Sequence, residues 1–376
     1  MAGDLFIGLM SGTSLDGVDV ALVDFKKTRL DEEQLQPQVL QTHFLAYPQA
    51  LRSQILSLQH PTPNELEVTA LISNQLAQLY AQAVQQLLAA TAFTPADIIA
   101  IGCHGQTIRH RPGFADGIGF TLQIGNAALL AELTNITVIA DFRSRDIAAG
   151  GQGAPLVPAF HQAVFASSQT NRALINIGGI ANITYLGSIG EVFGFDSGPG
   201  NMLLDAWIKQ HKSLDYDENG AWASTGKVIK PLLNQMLAEP YLSLAPPKST
   251  GRDLFNDAWL AEFLVGTNYL PQDVACTLTA LTAHSIYYAL INYCAQIEEI
   301  YLCGGGARND LLKHKLQTLL GDKKVTPTDA LGIGVDWVEA IAFAWLARQC
   351  LHKETASLAN VTGAKGARIL GAIYQH

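Results

Sequence analysis

Three glycine-containing strings of the chain have the composition of loops that bind phosphate groups. The first string supplies six candidate nucleotide-binding residues: Gly12, Thr13, Ser14, Asp16, Gly17 and Asp19. Glycine lets backbone N–H groups approach a phosphate, and the Thr and Ser hydroxyls can donate to it. Asp16 could also hold Mg²⁺ through water. Because the string lacks the Gly-Lys-Ser/Thr ending of a Walker A loop, a plain hairpin turn explains it equally well.

The second and third strings lie in the other half of the chain. Asn176, Gly178 and Gly179 belong to the tip of a predicted hairpin, so that two such turns could hold a polyphosphate from opposite sides. The third string contains three consecutive glycines, Gly304, Gly305 and Gly306. They follow a predicted strand and precede a helix, where α/β folds bind nucleotides. A tight strand-to-helix turn needs fewer glycines, which favours a ligand site.

Acid–base and cationic side chains could act beside these loops. Asp196 ends a predicted strand before a Gly-Pro-Gly sequence, and could there take a proton from water or a hydroxyl. Such an Asp is more often a helix cap or a turn former.

Candidate substrate-binding residues occupy two polar strings: His104, Gln106, Asp141 and Arg143. With Arg109, Arg111 and Arg145, Arg143 could pair with a substrate carboxylate, or these arginines could form a solvated basic loop.

These strings need a scaffold of alternating strands and helices. Apolar runs predict strands at 5–10, 18–24, 98–102, 136–140, 173–177, 180–186 and 300–303. Helical spacing of apolar residues predicts helices that begin near residues 62, 201, 271, 310 and 336. This alternation is typical of an α/β fold. A strand, a glycine-containing turn and a second strand occur in both halves, which indicates an internal duplication.

Composition excludes several classes of protein. Hydrophobic residues make up 48% of the 376 residues, which excludes a disordered chain, and a net charge of −9 argues against non-specific binding of nucleic acid. Five cysteines without a C-x-x-C pair predict reduced thiols and a cytoplasmic protein. The lack of a basic leader and of a long uninterrupted apolar run predicts neither a signal peptide nor a membrane span.

Together the motifs resemble those of the anhydro-N-acetylmuramic acid kinase family. The strings that carry the resemblance are 8–19, 105–110, 141–143, 150–156, 176–179, 195–201, 247–252, 303–306, 337–340 and 361–364. The resemblance implies an α/β fold with two RNase H-like (actin-like ATPase) domains of related topology and an ATP cleft between them. We expect residues 1–150 and about 350–376 in the first domain and 151–349 in the second, with the main boundary in the Gly/Pro-rich stretch near 150.

The resemblance also implies an activity. The expected enzyme uses ATP and water to open the 1,6-anhydro ring of 1,6-anhydro-N-acetylmuramic acid and phosphorylates O6, giving N-acetylmuramic acid 6-phosphate and ADP during peptidoglycan recycling. Asp196 is then the general base, the glycine hairpins with Mg²⁺ at Asp16 hold the phosphates, and the triple glycine lies near the adenosine. Arg143 and Glu339 are expected to bind the sugar acid. A homodimer is expected from the same resemblance, whereas the charge and the apolar pattern are what argue against nucleic acid and membrane as partners.

Two other functions remain open at this stage. One is another sugar kinase or an acetate kinase of the same fold, which would phosphorylate a free hydroxyl or carboxyl group without consuming water. The other is a non-catalytic actin-like nucleotide-binding protein, which would form filaments or carry a separate binding domain.

Overall fold

The computed structural model describes residues 3–12, 14–25, 35–294 and 296–376. These residues form twelve strands: β1 (Leu5–Ser11), β2 (Gly17–Asp24), β3 (Gln38–Ala46), β4 (Ala100–Pro112), β5 (Gly119–Ile124), β6 (Val138–Ala140), β7 (Arg172–Ile177), β8 (Ile180–Leu186), β9 (Val192–Pro199), β10 (Glu299–Cys303), β11 (Lys324–Pro327) and β12 (Ala372–Tyr374).

The same residues form thirteen α-helices, connected in places by short 3₁₀ turns. The helices are α1 (Gln49–Ser57), α2 (Glu65–Ala89), α3 (Ala127–Thr134), α4 (Ser144–Ala148), α5 (Val157–Phe165), α6 (Met202–Lys212), α7 (Lys230–Leu237), α8 (Pro240–Ser243), α9 (Asp257–Leu264), α10 (Pro271–Tyr293), α11 (Asp310–Leu320), α12 (Val338–Leu351) and α13 (Ala359–Thr362).

The chain divides into two compact units. The first comprises the residues up to Val164 together with Trp337–His376, and the second comprises Phe165–Asp336. The domain boundaries expected from the sequence, near residues 150 and 350, differ from the boundaries of these units. The difference at the C-terminal side has a physical reason. Helix α12 packs on β1 and β4 of the first unit, a long-range contact that local sequence does not reveal.

Each unit is built on one sheet, and five strands of each sheet have the same order. In the first unit the order is β12-β6-β4-β1-β2-β3, with β5 paired to the far end of β4. Strands β1, β2 and β3 are antiparallel neighbours, whereas β4 runs parallel to β1 and β6 parallel to β4. In the second unit the order is β11-β10-β7-β8-β9, again with three antiparallel strands followed by two parallel ones.

This repeated order is the RNase H-like arrangement, so the predicted α/β fold with two related actin-like domains is confirmed. The predicted hairpins at the start of each half are also confirmed, as β1 with β2 and β7 with β8. In both sheets the first strand is central, and its carboxyl end leads into the glycine turn that the sequence pointed to.

Glycines allow α12 to lie directly on the sheet of the first unit. A Cβ on Gly8 of β1 would overlap the Ala340 carbonyl oxygen, and one on Gly102 of β4 would overlap that of Phe343. The close approach fixes the first turn of α12, which carries Glu339. In the second unit, α10 is long and apolar enough to cross a membrane, but 78% of its apolar window is buried inside the structure, as expected of a core helix.

Candidate functional site

The turn between β1 and β2 is closed by its own side chains. Ser14 Oγ donates to Asp16 Oδ1 over 2.6 Å, and the Gly17 N–H donates to the same oxygen over 3.1 Å. Both bonds fit the plain hairpin-turn explanation of this string. A Cβ on Gly12 would contact only Ser14, at 3.6 Å or more, so the backbone there is open to a ligand. Thr13 lies outside the described residues.

Gly17 and Asp19 are members of β2 rather than of the turn. A Cβ on Gly17 would overlap the Leu45 carbonyl oxygen and the Phe44 ring, so packing against β3 explains this glycine. Asp19 lies opposite Met10 and Phe44 and is partly buried. Of the predicted residues of this string that the structure describes, Gly12, Ser14 and Asp16 are therefore the ones that the turn presents to solvent or to a ligand.

The second glycine turn, between β7 and β8, is braced from behind by the segment after β9. The Gly200 and Met202 N–H groups donate to the Gly179 carbonyl over 2.9 and 3.2 Å, and the Asn201 N–H donates to the Gly178 carbonyl over 2.8 Å. A Cβ on either glycine would meet this chain's atoms no nearer than 3.7 Å. The turn is thus held rigidly while its glycines remain open to a ligand.

The triple glycine follows β10 and lies against the end of β7. Gly304 has a φ of 76°, and a Cβ there would overlap Asn176 Oδ1. A Cβ on Gly306 would overlap the Ile177 side chain, whereas one on Gly305 would lie 3.7 Å from Asn201 Nδ2. Packing therefore requires the outer two glycines, and the middle one is open. Asn176 consequently acts as a packing partner of the glycine loop.

Asp196 lies within β9 rather than at its end, beside an irregularity of the β8–β9 ladder between Ala181 and Asn182. Its Oδ2 accepts the Thr250 N–H over 3.0 Å, and its own N–H donates to the Lys248 carbonyl over 3.2 Å. The Tyr241 hydroxyl donates to the Asp196 carbonyl over 2.8 Å. The loop therefore holds the carboxylate, and both the loop and the helix hold the main chain of Asp196, although they lie far from it in sequence.

The surroundings of Asp196 make it a proton acceptor at neutral pH. Burial raises the pKa of this carboxyl from its ordinary value to about 6, although the Thr250 N–H and the Lys248 ammonium both oppose the rise. Burial also lowers the pKa of Lys248. A base with a pKa just below the working pH is ionised and still holds a proton well, as general base catalysis requires.

Arg143 and His104 form a tight pair in the first unit. Arg143 donates from Nε and Nη2 to His104 Nε2 over 3.2 and 2.9 Å, and from Nη1 to the Gly153 carbonyl over 2.8 Å. His104 Nδ1 lies 3.3 Å from the Ser11 carbonyl and must carry the ring proton, because Nε2 is the acceptor. Burial and the Arg143 charge lower the pKa of His104 to about 3, so the ring is neutral.

Two carboxylates balance the Arg143 charge. Burial lowers the pKa of Arg143 to about 10, and Glu339 and Asp146 both oppose this shift. Burial raises the pKa of Glu339, and Arg143 counteracts that rise. Asp146 is fully buried and accepts the Gly153 N–H and the Thr362 hydroxyl, each over 2.8 Å. Asp146 thus holds the Gly/Pro-rich stretch against the unit.

Gln106 joins this group through the first glycine turn. Its Nε2 donates to the Gly12 carbonyl over 3.0 Å, and its Oε1 accepts the Tyr47 hydroxyl over 3.2 Å. Asp141, in contrast, is exposed, and its Oδ1 accepts the Ser144 hydroxyl over 2.5 Å in the turn before α4. The structure therefore brings His104, Gln106 and Arg143 to one place and gives Asp141 a local turn-forming contact.

The other arginines of the predicted cluster have separate partners. Arg109 pairs with Glu65, Arg111 lies over the Phe114 ring, and Arg145 is exposed on α4. The sequence did not identify Lys248, Thr250 and Tyr241 as neighbours of Asp196. The only available signal was that residues 247–252 form one of the strings that resemble the kinase family.

Known proteins match the chain along its whole length. A family model described as anhydro-N-acetylmuramic acid kinase matches residues 4–376. A relative of that name from Nitrosospira multiformis is 51% identical over 374 residues, with 100% of each chain covered. The chain belongs to the anhydro-N-acetylmuramic acid kinase family. Another relative of that name, from Nitrosomonas europaea, is 53% identical over 369 residues, which cover 98% of this chain and 99% of the relative.

Membership in the anhydro-N-acetylmuramic acid kinase family confirms the family predicted from the motifs. The chain is accordingly a kinase, a phosphotransferase that takes its phosphoryl group from ATP. Among solved structures, an activator of 2-hydroxyisocaproyl-CoA dehydratase from Clostridium difficile with bound ADPNP has a TM-score of 0.47 at 12% identity, covering 93% of this chain and 96% of that chain. At that level neither function nor ligand carries over.

Proposed function

We propose that this kinase opens the 1,6-anhydro ring of 1,6-anhydro-N-acetylmuramic acid with water and phosphorylates O6, with Asp196 as the general base. The product is N-acetylmuramic acid 6-phosphate, an intermediate in the recycling of peptidoglycan. The observation that carries the proposal is the partly buried Asp196, whose pKa is raised to about 6 and whose carboxylate is oriented by the Thr250 N–H.

The proposed reaction is one concerted displacement with a single protein base. Asp196 takes a proton from water as the water oxygen attacks C1, and the C1–O6 bond breaks. The electron pair of that bond passes to O6, which attacks the γ-phosphorus while the bond from this phosphorus to the ADP oxygen breaks. Glycoside hydrolysis usually needs a second carboxyl group to protonate the leaving oxygen, but here the phosphoryl group captures that oxygen.

The open glycines are the groups that we propose for the nucleotide. Gly12, Gly178, Gly179 and Gly305 have room beside their backbones, and phosphoryl transfer depends mainly on positioning and charge neutralisation. We place the phosphates at the two hairpin turns and the adenosine at the triple glycine.

Asp16 is the residue that we propose for Mg²⁺. Within the described residues, no group of three or more His, Cys, Asp or Glu side chains is arranged to hold a metal ion. A magnesium ion that travels with a nucleotide needs only one or two carboxylates beside phosphate and water oxygens, so the exposed Asp16 carboxylate fits. When bound, the ion neutralises charge on the phosphates.

Arg143 and Glu339 are the residues that we propose for the sugar acid. Arg143 is preorganised, because His104 and Gly153 fix its guanidinium plane, and a fixed guanidinium suits a carboxylate. Glu339 can accept from sugar hydroxyl or amide N–H groups. We further propose a cytoplasmic enzyme, because the five cysteines are buried and form no disulfide. We also propose a homodimer, which sedimentation of the purified protein would test.

The acceptor specificity tests this function directly. The purified enzyme with ATP and Mg²⁺ should phosphorylate 1,6-anhydro-N-acetylmuramic acid and leave N-acetylmuramic acid, the form with free hydroxyl groups at C1 and C6, unmodified. Faster turnover of N-acetylmuramic acid, glucose or acetate would indicate an ordinary sugar or acetate kinase. ATP-dependent filaments without turnover would indicate a non-catalytic protein.

A further inference from the structure

The segment Lys248–Thr250 lies against Asp196, and the side chain of Lys248 has no role in the function described so far. It meets Asp196 through two main-chain hydrogen bonds, one from Thr250 to the carboxylate and one from Asp196 to the Lys248 carbonyl. The first bond is made to Oδ2, which disfavours protonation of that oxygen relative to Oδ1. Because one bond holds the main chain of Asp196 and the other holds its side chain, the segment fixes the orientation of the carboxylate.

The Lys248 ammonium is held by uncharged groups, most of which belong to residues that adjoin or bond to Asp196. Its Nζ donates to the Tyr241 and Leu242 carbonyls over 3.3 and 3.2 Å. It also lies 4.8 Å from the centre of the Tyr241 ring and 6.0 Å from that of Phe195. Neither the carbonyls nor the rings cancel its charge, so the ammonium acts on Asp196 as the attractive cation of this site.

The other groups that hydrogen-bond to Asp196 or lie opposite it in the sheet are uncharged. From α8, the Tyr241 phenol donates to the Asp196 carbonyl, and burial raises the pKa of that phenol further. From β8, the residue opposite Asp196 is the uncharged Asn182. Lys248 is thus the charged side chain that favours the ionised form of Asp196 against the effect of burial.

We propose that Lys248 is a positioning residue that acts through Asp196. Its ammonium favours the ionised form of the Asp196 carboxyl group, and its main-chain carbonyl helps to fix the position of Asp196. The inference rests on the proposed role of Asp196 as the base. Lys248 itself touches neither substrate nor nucleotide in this account. Replacing Lys248 by an uncharged residue should therefore shift the pH dependence of kcat/KM and leave the activity in alkaline solution nearly intact.

The pH profile of kcat/KM for the full chain tests this inference. The acidic limb reports the ionisation of the free base, so in the unaltered enzyme it should fall near pH 6. In Lys248→Met the limb should move to higher pH by about one unit, because an opposite charge nearby favours the ionised form. Lys248→Arg, which keeps the charge, should restore the limb.

Two further variants control for misfolding of Lys248→Met and for the loss of a lysine charge elsewhere in the same unit. Lys248→Gln keeps a donor for the Tyr241 and Leu242 carbonyls and should show the same shift if Lys248→Met fails to fold. Lys212 lies over the Trp222 ring at 5.7 Å in the same unit, and Lys212→Met should leave the profile unchanged.

The outcomes separate this inference from the proposed function. A uniform loss of activity at every pH in the neutral Lys248 variants, with the limb still near pH 6, would overturn the inference and leave Lys248 a structural residue. If Asp196→Asn, measured in parallel, retained turnover, the base assignment itself would fail. If Asp196→Asn is inactive and the limb moves as expected, both hold.

Discussion

The two units share one strand order but hold their charged groups in opposite ways. In the first unit, Arg143 is bonded to a neutral His104 and balanced by Glu339 and Asp146, so its charge is compensated before any ligand binds. In the second unit, burial dominates the environment of Asp196 and raises its pKa to about 6. A compensated, rigid cation suits binding, whereas a partly buried carboxylate with a raised pKa suits proton transfer.

This contrast predicts that replacing Asp196 changes mainly kcat, whereas replacing Arg143 changes mainly KM for the sugar acid. An interaction that forms only in the transition state lowers kcat when it is removed, whereas one that is equal in both states raises KM. The experiments below use this distinction.

Asp196→Asn should have the largest effect. Removing a general base costs roughly 10²- to 10⁴-fold in rate, so kcat should fall at least about a hundredfold while ATP binding by calorimetry stays within a few-fold. Asp322→Asn, at an exposed position of the same unit, is the matched control and should retain full activity. Turnover of Asp196→Asn above a few per cent of the original would contradict the role.

The stability of the same variant checks the raised pKa. Because the pKa of Asp196 is higher in the folded than in the unfolded chain, its ionisation costs folding free energy as pH rises through the window from about 4 to 6. Asparagine removes that cost, so the thermal midpoint of Asp196→Asn at pH 7.5 should not fall below that of the unaltered protein. A clear drop would mean that the carboxylate stabilises the fold.

Lowering the pH should reproduce part of the activity loss of Asp196→Asn without any substitution. Asp196 accepts a proton only when ionised, and one unit below a pKa of about 6 roughly a tenth of the carboxyl groups are ionised. Between pH 7 and pH 5, kcat/KM should therefore fall about tenfold. A flat profile over this range, measured with the protein shown to be folded at each pH, would argue for a different base.

Arg143→Lys tests the first unit. Lysine keeps the charge but loses the planar fork, so KM for the sugar acid should rise about tenfold, the cost of one charged hydrogen bond of about 1.5 kcal/mol. The value of kcat should change less than KM. Arg145→Lys, on the exposed face of α4, should behave like the unaltered enzyme. A loss confined to kcat would reverse the division of labour between the units.

The smallest expected effects come from two neighbouring residues of the triple glycine, Gly304 and Gly305. Gly304→Ala places a Cβ against Asn176 Oδ1 at a φ of 76° and should lower the free energy of unfolding by about 1–3 kcal/mol. Gly305→Ala meets only ordinary contacts, so stability should stay within about 0.5 kcal/mol while the KM for ATP rises a few-fold. Equal stability of the two variants in urea titrations would contradict this packing account.

Much of the fold was predictable because its signals are local. The strand–turn–strand pairs that became β1–β2 and β7–β8 carry apolar runs on both sides of glycine, and their repetition revealed the two related domains. The boundary near Trp337 was not predictable, because α12 is assigned by contacts with Gly8 and Gly102, more than 200 residues away in the sequence.

The site was predictable only in part. The family resemblance pointed to Asp196 as the base, whereas its local sequence favoured a cap or turn former. Lys248 and Thr250 lie in another loop and meet Asp196 only in the folded chain. The string from His104 to Arg111 also allowed a solvated basic loop. In the structure, β4 continues to Pro112 and carries His104 and Gln106 into the interior, where burial makes the histidine neutral.

The central claim, that one base couples ring opening by water to phosphoryl transfer, is tested most directly by isotope position. The enzyme should be run with ATP and 1,6-anhydro-N-acetylmuramic acid in oxygen-18 water, quenched after a few turnovers and reduced at once to stop exchange at C1. If water attacks C1 while O6 takes the phosphoryl group, the product should carry one labelled oxygen on C1, and neither the transferred phosphate nor ADP should carry label. Label in the phosphate, or an unlabelled oxygen on C1, would contradict the central claim.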